Sequence, residues 1–299
     1  MIHFTLKQLR YVDALARIGH FGRAAEACAI SQPALSMQIK ELEESLGAAL
    51  FERSARQVTL TALGERFVAR ARELLKSADE MADLARIAKG RLTGRLRLGI
   101  IPTIAPYLLP RIVTALTNSA PDLDVHVRET LTDRLVQELA DGKLDLAIVA
   151  LPLSEPWLEE RPLFEENFLL VRPEADAEAP APDAEGLREM KLLLLEEGHC
   201  FRDQALSFCA IRPSEPRESL DATSLSTLVQ MVGAGIGVTL IPEMARRVET
   251  RSARVAVSSF SGSQPTRTVG VVWRKASPLA AQLTDLADTL AGAGLGQTP

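Results

Sequence analysis

The eight residues LDLAIVAL, 144–151, hold a single charged residue, and with what precedes them they narrow the architecture more than any other stretch. Upstream, RLRLGII reads as a strand, PYLLPRIVTALTNSA as a helix, LDVHVRET as a strand and TDRLVQELADGK as a helix, with LDLAIVAL as a third, continuously apolar strand. The order β-α-β-α-β calls for a parallel sheet whose helices are the crossovers. Such sheets bind ligands in the crevice beyond the C-terminal ends of their strands. Thr103 and Thr132 fall there, each after a strand. The plain alternative is that each hydroxyl only caps the helix that follows it.

A second unit of strands and helices follows a Pro/Ala/acid-rich loop, EADAEAPAPDAEG (174–186). KLLLL, GVTLIP, VAVSSF and TRTVGVVWR read as strands, SLSTLVQMVGAG as a helix, and a last helix runs from about Pro278 to Ala291. TRTVGVVWR is expected to return to the first unit, so the chain crosses between two subdomains near 171–172 and 264–267. GAGIG (233–237) precedes a strand, the reverse of a dinucleotide fingerprint, and reads as a helix end and tight turn.

At the N-terminus helical periods come first. Thr5-Leu6-Lys7-Gln8 has capping-box spacing, Leu6, Leu9, Val12 and Leu15 make a stripe, and Gly19 ends it. A short helix fits Gly22 to Cys28. In SQPALSMQIKELEESLG, Ser31 caps, Pro33 sits in the first turn, Leu35, Ile39, Leu42 and Leu46 face inward, and Gly47 closes. The other face shows Gln32, Pro33, Ser36, Met37 and Lys40, groups that can meet base edges, a thymine methyl or phosphate. LFERSARQVTLTALG then reads as a hairpin with Arg53 and Arg56 at base and tip. Thr61 caps a long helix over roughly 62–89, with Leu63, Phe67, Leu74, Met81, Leu84 and Ala88 near heptad positions. A small helical bundle with a solvated face competes with helix-turn-helix, and an amphipathic helix on its own domain competes with a dimerisation helix.

Charge is divided along the chain. Residues 1–94 carry 14 Lys and Arg against 11 Asp and Glu, a net of +3, and residues 95–299 carry 20 against 28, a net of −8. A basic head permits nucleic-acid binding. No stretch approaches 18 uninterrupted apolar residues and the N-terminus lacks signal-peptide features, so a cytoplasmic, membrane-free location is expected. Thiols there are reduced, and three cysteines do not make a structural framework.

HFGRAAEACAISQPALSMQIKELEESLGAALFERSARQVTLTALGERFV resembles the DNA-binding region of LysR-type transcriptional regulators. The resemblance implies an α/β chain of three parts: a winged helix-turn-helix domain at 1–61, a linker and dimerisation helix at 62–94, and a regulatory domain at 95–299. The last is similar to periplasmic binding proteins, with subdomain I at 95–171 and 267–299 and subdomain II at 172–266. Gln32, Pro33, Ser36 and Met37 then lie at groove-facing positions and Arg53 in the wing. Met37 departs from the family, where that position is often polar or basic. Cys28 reads as a packing residue.

EEGHCFRDQALSFC (196–209) holds the other two cysteines. His199, Cys200 and Cys209 lack zinc spacing, and packing, a nucleophile or a switch stay open. If the stretch is a helix from Cys200, nine residues span ~13.5 Å. A disulfide needs Cα atoms about 4.4–6.8 Å apart, so Cys200–Cys209 bonding would unwind the helix. Cys200, near a helix N-terminus beside His199 and Arg202, is expected to be the activated thiol.

GIIPTIAPYLLP, EEGHCFRDQALSFC and ATSLSTLVQMVGAGIGVTLIP look like the peroxide-sensing OxyR branch of that family. The resemblance implies Cys200 as peroxidatic and Cys209 as resolving residue. It makes Thr103, Thr132, His199, Arg202 and Asp203 the peroxide pocket, with no metal and no cofactor. It also implies promoter DNA, RNA polymerase, a homotetramer built as a dimer of dimers, and reduction by glutaredoxin or a similar thiol system. Ser219 stands where the branch often has histidine. A metabolite-responsive regulator is the alternative within the family; a thiol peroxidase is the rival outside it, disfavoured by the winged-helix match.

Overall fold

The computed structural model describes residues 4–53, 58–87, 92–208 and 221–296; the side chains of Arg53 and of residues 82–87 fall outside it. Two compact units result, divided at residues 85 and 86.

In the first unit, α1 (Leu6–Ile18) is opened by the reciprocal Thr5–Gln8 box and closed at Gly19, whose φ of 67° suits glycine. Next come α2 (Phe21–Ala27) and α3 (Gln32–Leu46), the latter capped by Ser31 accepting from the Ala34 N–H and closed at Gly47. Helix α2 starts one residue before the expected Gly22, because the His20 ring accepts from the Arg23 N–H and caps it. Val12, Leu15, Ala24, Leu35, Ile39 and Leu42 form the core, with every one of them fully buried. The wing is β1 (Phe51–Arg53) antiparallel to β2 (Val58–Leu60), and its expected tip at Arg56 lies outside the described residues. Helix α4 (Ala62–Ile87) is capped by the Thr61 hydroxyl accepting from Gly64 N–H at 2.9 Å. Val68 and Ala71 turn inward while Leu63, Leu74 and Met81 are exposed. The side chain of Leu84, and Ala88 altogether, are not described.

The second unit contains β3 (Gly94–Ile100), α5 (Ala105–Ser119), β4 (Leu123–Glu129), α6 (Thr132–Ala140), β5 (Leu146–Leu151) and a long β6 (Leu158–Pro173). After these come α7 (Ala184–Glu189), β7 (Leu194–Leu195), α8 (Cys200–Phe208), β8 (Asp221–Ala222), α9 (Leu225–Gly233), β9 (Thr239–Pro242), α10 (Arg246–Glu249), β10 (Val255–Ser258), β11 (Thr266–Arg274) and α11 (Ala280–Gly292). Strand β3 is parallel to both β4 and β5, as the alternation requires, and β11 returns antiparallel between β5 and β6. Of the KLLLL stretch only Leu194–Leu195 is strand, although Leu192 through Leu195 are all buried.

Two cores divide this unit. One gathers β3, β5, β11, α5, α6 and α11 around Ile100, Ile112, Ile148 and Trp273. The other gathers β6, α8, α9 and β9 around Phe168, Phe201, Leu228 and Ile241. Phe164 packs with the first core and Phe168 belongs to the second, so β6 passes between lobes a few residues before the expected 171–172. Strand pairing explains the shift: Asn167 is the last β6 residue held by β11, and Phe168 is the first held by β9. No helix among the described residues is long and apolar enough to cross a membrane.

Candidate redox site and nucleic-acid face

On the first unit, Gln32, Pro33, Met37 and Lys40 are exposed along α3 and Ser36 is half-buried beside them. This is the side opposite Leu35, Ile39 and Leu42. Lys40 lies 3.5 Å from Glu44, an exposed pair one turn apart that holds its amine only weakly. Cys28 is half-buried against the core, and burial pushes its thiol up. A protonated, packed thiol is inert.

In the second unit, the turn before α8 is set by Gly198. Its φ of 92° is open to glycine, and a Cβ there would come 3.0 Å from the Leu131 side chain. The turn thus presses the second lobe onto the first next to Thr132, and Cys200 begins α8 at that point. The sulfur packs against the first lobe's core. Burial pushes the Cys200 thiol up; the Thr132 hydroxyl, the Arg267 charge and the Phe201 N–H act the other way, and Asp203 adds to the rise. The helix N-terminus assists the thiolate as expected, but burial outweighs it, so the thiol is the resting form. An anion formed here meets a hydroxyl and a backbone N–H and is favoured by the Arg267 charge.

Both threonines serve otherwise than as caps. Helix α5 is preceded by Ile104 and α6 by Leu131, neither with a side-chain cap. Thr103, 3% exposed, accepts from Arg267 Nη1 at 2.9 Å through its hydroxyl and from Nη2 at 3.1 Å through its carbonyl. The Thr132 hydroxyl is buried with no nitrogen or oxygen partner, free for the sulfur and for a small polar guest. Gln204, one turn along α8, likewise has a buried Oε1 without a partner.

His199 is 9% exposed, and burial lowers its pKa with Glu196 opposing. The ring is therefore a neutral donor or acceptor. Arg202 makes its hydrogen bonds within the second lobe. Its Nη1 donates to the Leu195 carbonyl at 2.7 Å and to Asp221 at 2.9 Å, bracing β7 and β8. Asp203 is exposed. Cys209 and Ser219 lie outside the described residues.

Sequence reasoning missed Arg267 and Glu166. The Arg267 side chain is fully buried, paired with Glu166 at 2.7 Å, and lies 5.6 Å over the Phe201 ring. A charged residue heading the apolar TRTVGVVWR strand was the available signal. Its partners are 101 and 164 residues away, which no local pattern records.

Comparison with known proteins agrees with this architecture. Residues 6–65 match the bacterial regulatory helix-turn-helix proteins of the lysR family, and residues 89–294 match the LysR substrate binding domain. The chain belongs to the LysR family of bacterial regulators. Within it, the chain is 43% identical over 293 residues to a probable hydrogen peroxide-inducible genes activator of Streptomyces viridosporus, covering 96% of this chain and 93% of that one. It is 40% identical over 291 residues to the DNA-binding transcriptional dual regulator OxyR of Escherichia coli, covering 96% and 94%. A full-length OxyR variant from Pseudomonas aeruginosa superposes with a TM-score of 0.72 at 38% identity, over 98% of this chain and 96% of that one.

Proposed function

We propose that this LysR-family regulator senses hydrogen peroxide through Cys200 and answers by changing how it holds promoter DNA. The observation that carries the reading is the surroundings of Cys200: a half-buried cysteine at a helix N-terminus, faced by a Thr132 hydroxyl with no nitrogen or oxygen partner and by the Arg267 charge. Peroxide entering there meets donors for its leaving oxygen. The Cys200 thiolate attacks one oxygen, the O–O bond breaks, and the departing hydroxide takes a proton to become water, leaving a sulfenic acid. The Cys209 thiol then attacks that sulfur, expels a second water and closes the disulfide. Two thiols lose two electrons and one peroxide gains them. Glutaredoxin or a similar dithiol returns them.

Closure demands refolding, whatever the position of Cys209. Helix α8 holds Cys200 and Phe208 about 12 Å apart. The next Cα is about 3.8 Å further along the chain, so Cys209 comes no nearer than roughly 8 Å, beyond disulfide reach. Unwinding α8 is thus the switch. The consequence is a new pairing of regulatory units in a tetramer, a new spacing of α3 on DNA and altered contact with RNA polymerase, all in the cytoplasm. Gln32, Pro33, Ser36, Met37 and Lys40 meet the groove and Arg53 the flanking backbone.

Footprinting of promoter DNA by full-length protein, with and without low peroxide, tests the reading. Wild type shifts its footprint and Cys200→Ser does not. A peroxide-dependent shift in Cys200→Ser would sink it.

A further inference from the structure

The lobes of the regulatory unit are joined by β6 and β11. Two strands leave lobes free to rotate about the crossing unless a further contact between the lobes fixes the angle. Tyr107 makes such a contact. It stands in the first turn of α5, four residues after Thr103, yet its ring packs on the second lobe's core. Its hydroxyl donates to Glu249 Oε1 at 2.6 Å. Glu249 ends α10 and is 8% exposed. Burial, with Glu249 adding to it, pushes the phenol far above its ordinary range, so the proton stays on tyrosine. Hydrogen bonds to a charged acceptor are the strong ones.

This bond closes a circuit. Thr103 accepts from Arg267, Arg267 pairs with Glu166, and Glu166 accepts from the Met244 N–H at 3.2 Å. Five residues on, Glu249 accepts from Tyr107, which returns to the α5 turn that carries Thr103. We infer that Tyr107 and Glu249 form a latch that fixes the lobe angle and thereby holds Thr132 of the first lobe against Cys200 of the second. Tyr107 is then a positioning residue for the thiol oxidation, an assignment that rests on the peroxide-sensing reading above.

The test follows Cys200 oxidation in full-length protein mixed with hydrogen peroxide, quenched with an alkylating agent and read by mass spectrometry. Y107F and E249A slow oxidation about tenfold, the scale expected when reacting groups are misplaced by a fraction of an ångström. E249Q keeps an oxygen that accepts from Tyr107 and stays within about twofold of wild type, while Y107F, which keeps the packed ring and loses only the hydroxyl, is slowed, a split that a mere packing role for either residue does not predict. Y107F at the wild-type rate overturns the latch, and so does E249Q slowed as much as E249A. Should E249A not fold, Y107F, which deletes one oxygen, carries the comparison alone. Wild-type Cys200 that does not react with peroxide would instead overturn the sensing reading, whatever Tyr107 does.

Discussion

At the scale of single residues, the two threonines of the proposed pocket should behave oppositely when their hydroxyls are removed. Thr103 satisfies two donors of the buried Arg267, so Thr103→Val strands a guanidinium N–H and costs about 1–3 kcal/mol of stability. Thr132 satisfies no nitrogen or oxygen, so Thr132→Val is close to neutral in thermal unfolding. It should nevertheless slow Cys200 oxidation, because the hydroxyl favours the thiolate. Calorimetry and quenched oxidation on both variants check this pair. A Thr132→Val protein oxidised as fast as wild type would remove Thr132 from the pocket. His199 supplies a pH prediction. Its folded pKa lies below the ordinary 6.5, so its contribution is present above that value and is lost as pH falls. Between pH 7 and 5, His199→Gln should therefore lose less stability than wild type in parallel urea titrations. The thiol runs the other way: with its pKa raised, oxidation of Cys200 should keep accelerating as pH climbs past the usual cysteine range.

Elements were legible where their causes are local. The Thr5–Gln8 box, the Ser31 cap, the Gly19 and Gly47 stops and the parallel β3–β5 order all follow from neighbours within a few residues or from strand–helix alternation. The start of α8 at Cys200 was legible for the same reason. The site around it was legible only in part. Thr103 and Thr132 could be placed at strand ends, but that one is held by Arg267 and the other left free depends on β11 returning from far along the chain. Arg202 looked like a thiol activator because it is adjacent in sequence, while tertiary structure turns it to Leu195 and Asp221. Helix α8 itself carries a quantitative expectation. Ala205 is fully buried within it, and Ala205→Gly costs the helical form about 1 kcal/mol or more. If the disulfide form has unwound α8, only the dithiol form bears that cost. The Cys200–Cys209 potential then falls by about 20 mV. Redox titration against glutathione measures it, and an unchanged potential would show that α8 survives oxidation.

At the scale of the whole molecule, the regulation proposed above requires copies of the chain to meet. In the first unit α4 turns Val68 and Ala71 inward and leaves Leu63, Leu74 and Met81, 43%, 48% and 72% exposed, along the helix. Leu74 and Met81 are one heptad apart, the spacing at which two long helices bury a common seam. The inward contacts of α4, with the Arg72–Asp13 pair at 2.6 Å and the Arg10–Asp79 pair at 3.2 Å, hold it to α1 and are untouched by changes on that seam. Leu74→Glu should therefore leave the head folded while placing a charge in the helix pair, where an unpaired charge is strongly disfavoured. In the proposed assembly two heads joined by α4 would bind two half-sites with the second event intramolecular, which multiplies avidity by roughly 10²–10⁴. Sedimentation should show Leu74→Glu shifted to smaller species, with at least about a 100-fold loss of affinity for a two-half-site promoter. Affinity for a single half-site should stay close to that of wild type. Equal loss on both DNAs would mean that α4 shapes the head itself, and unaltered sedimentation would mean that the copies meet elsewhere.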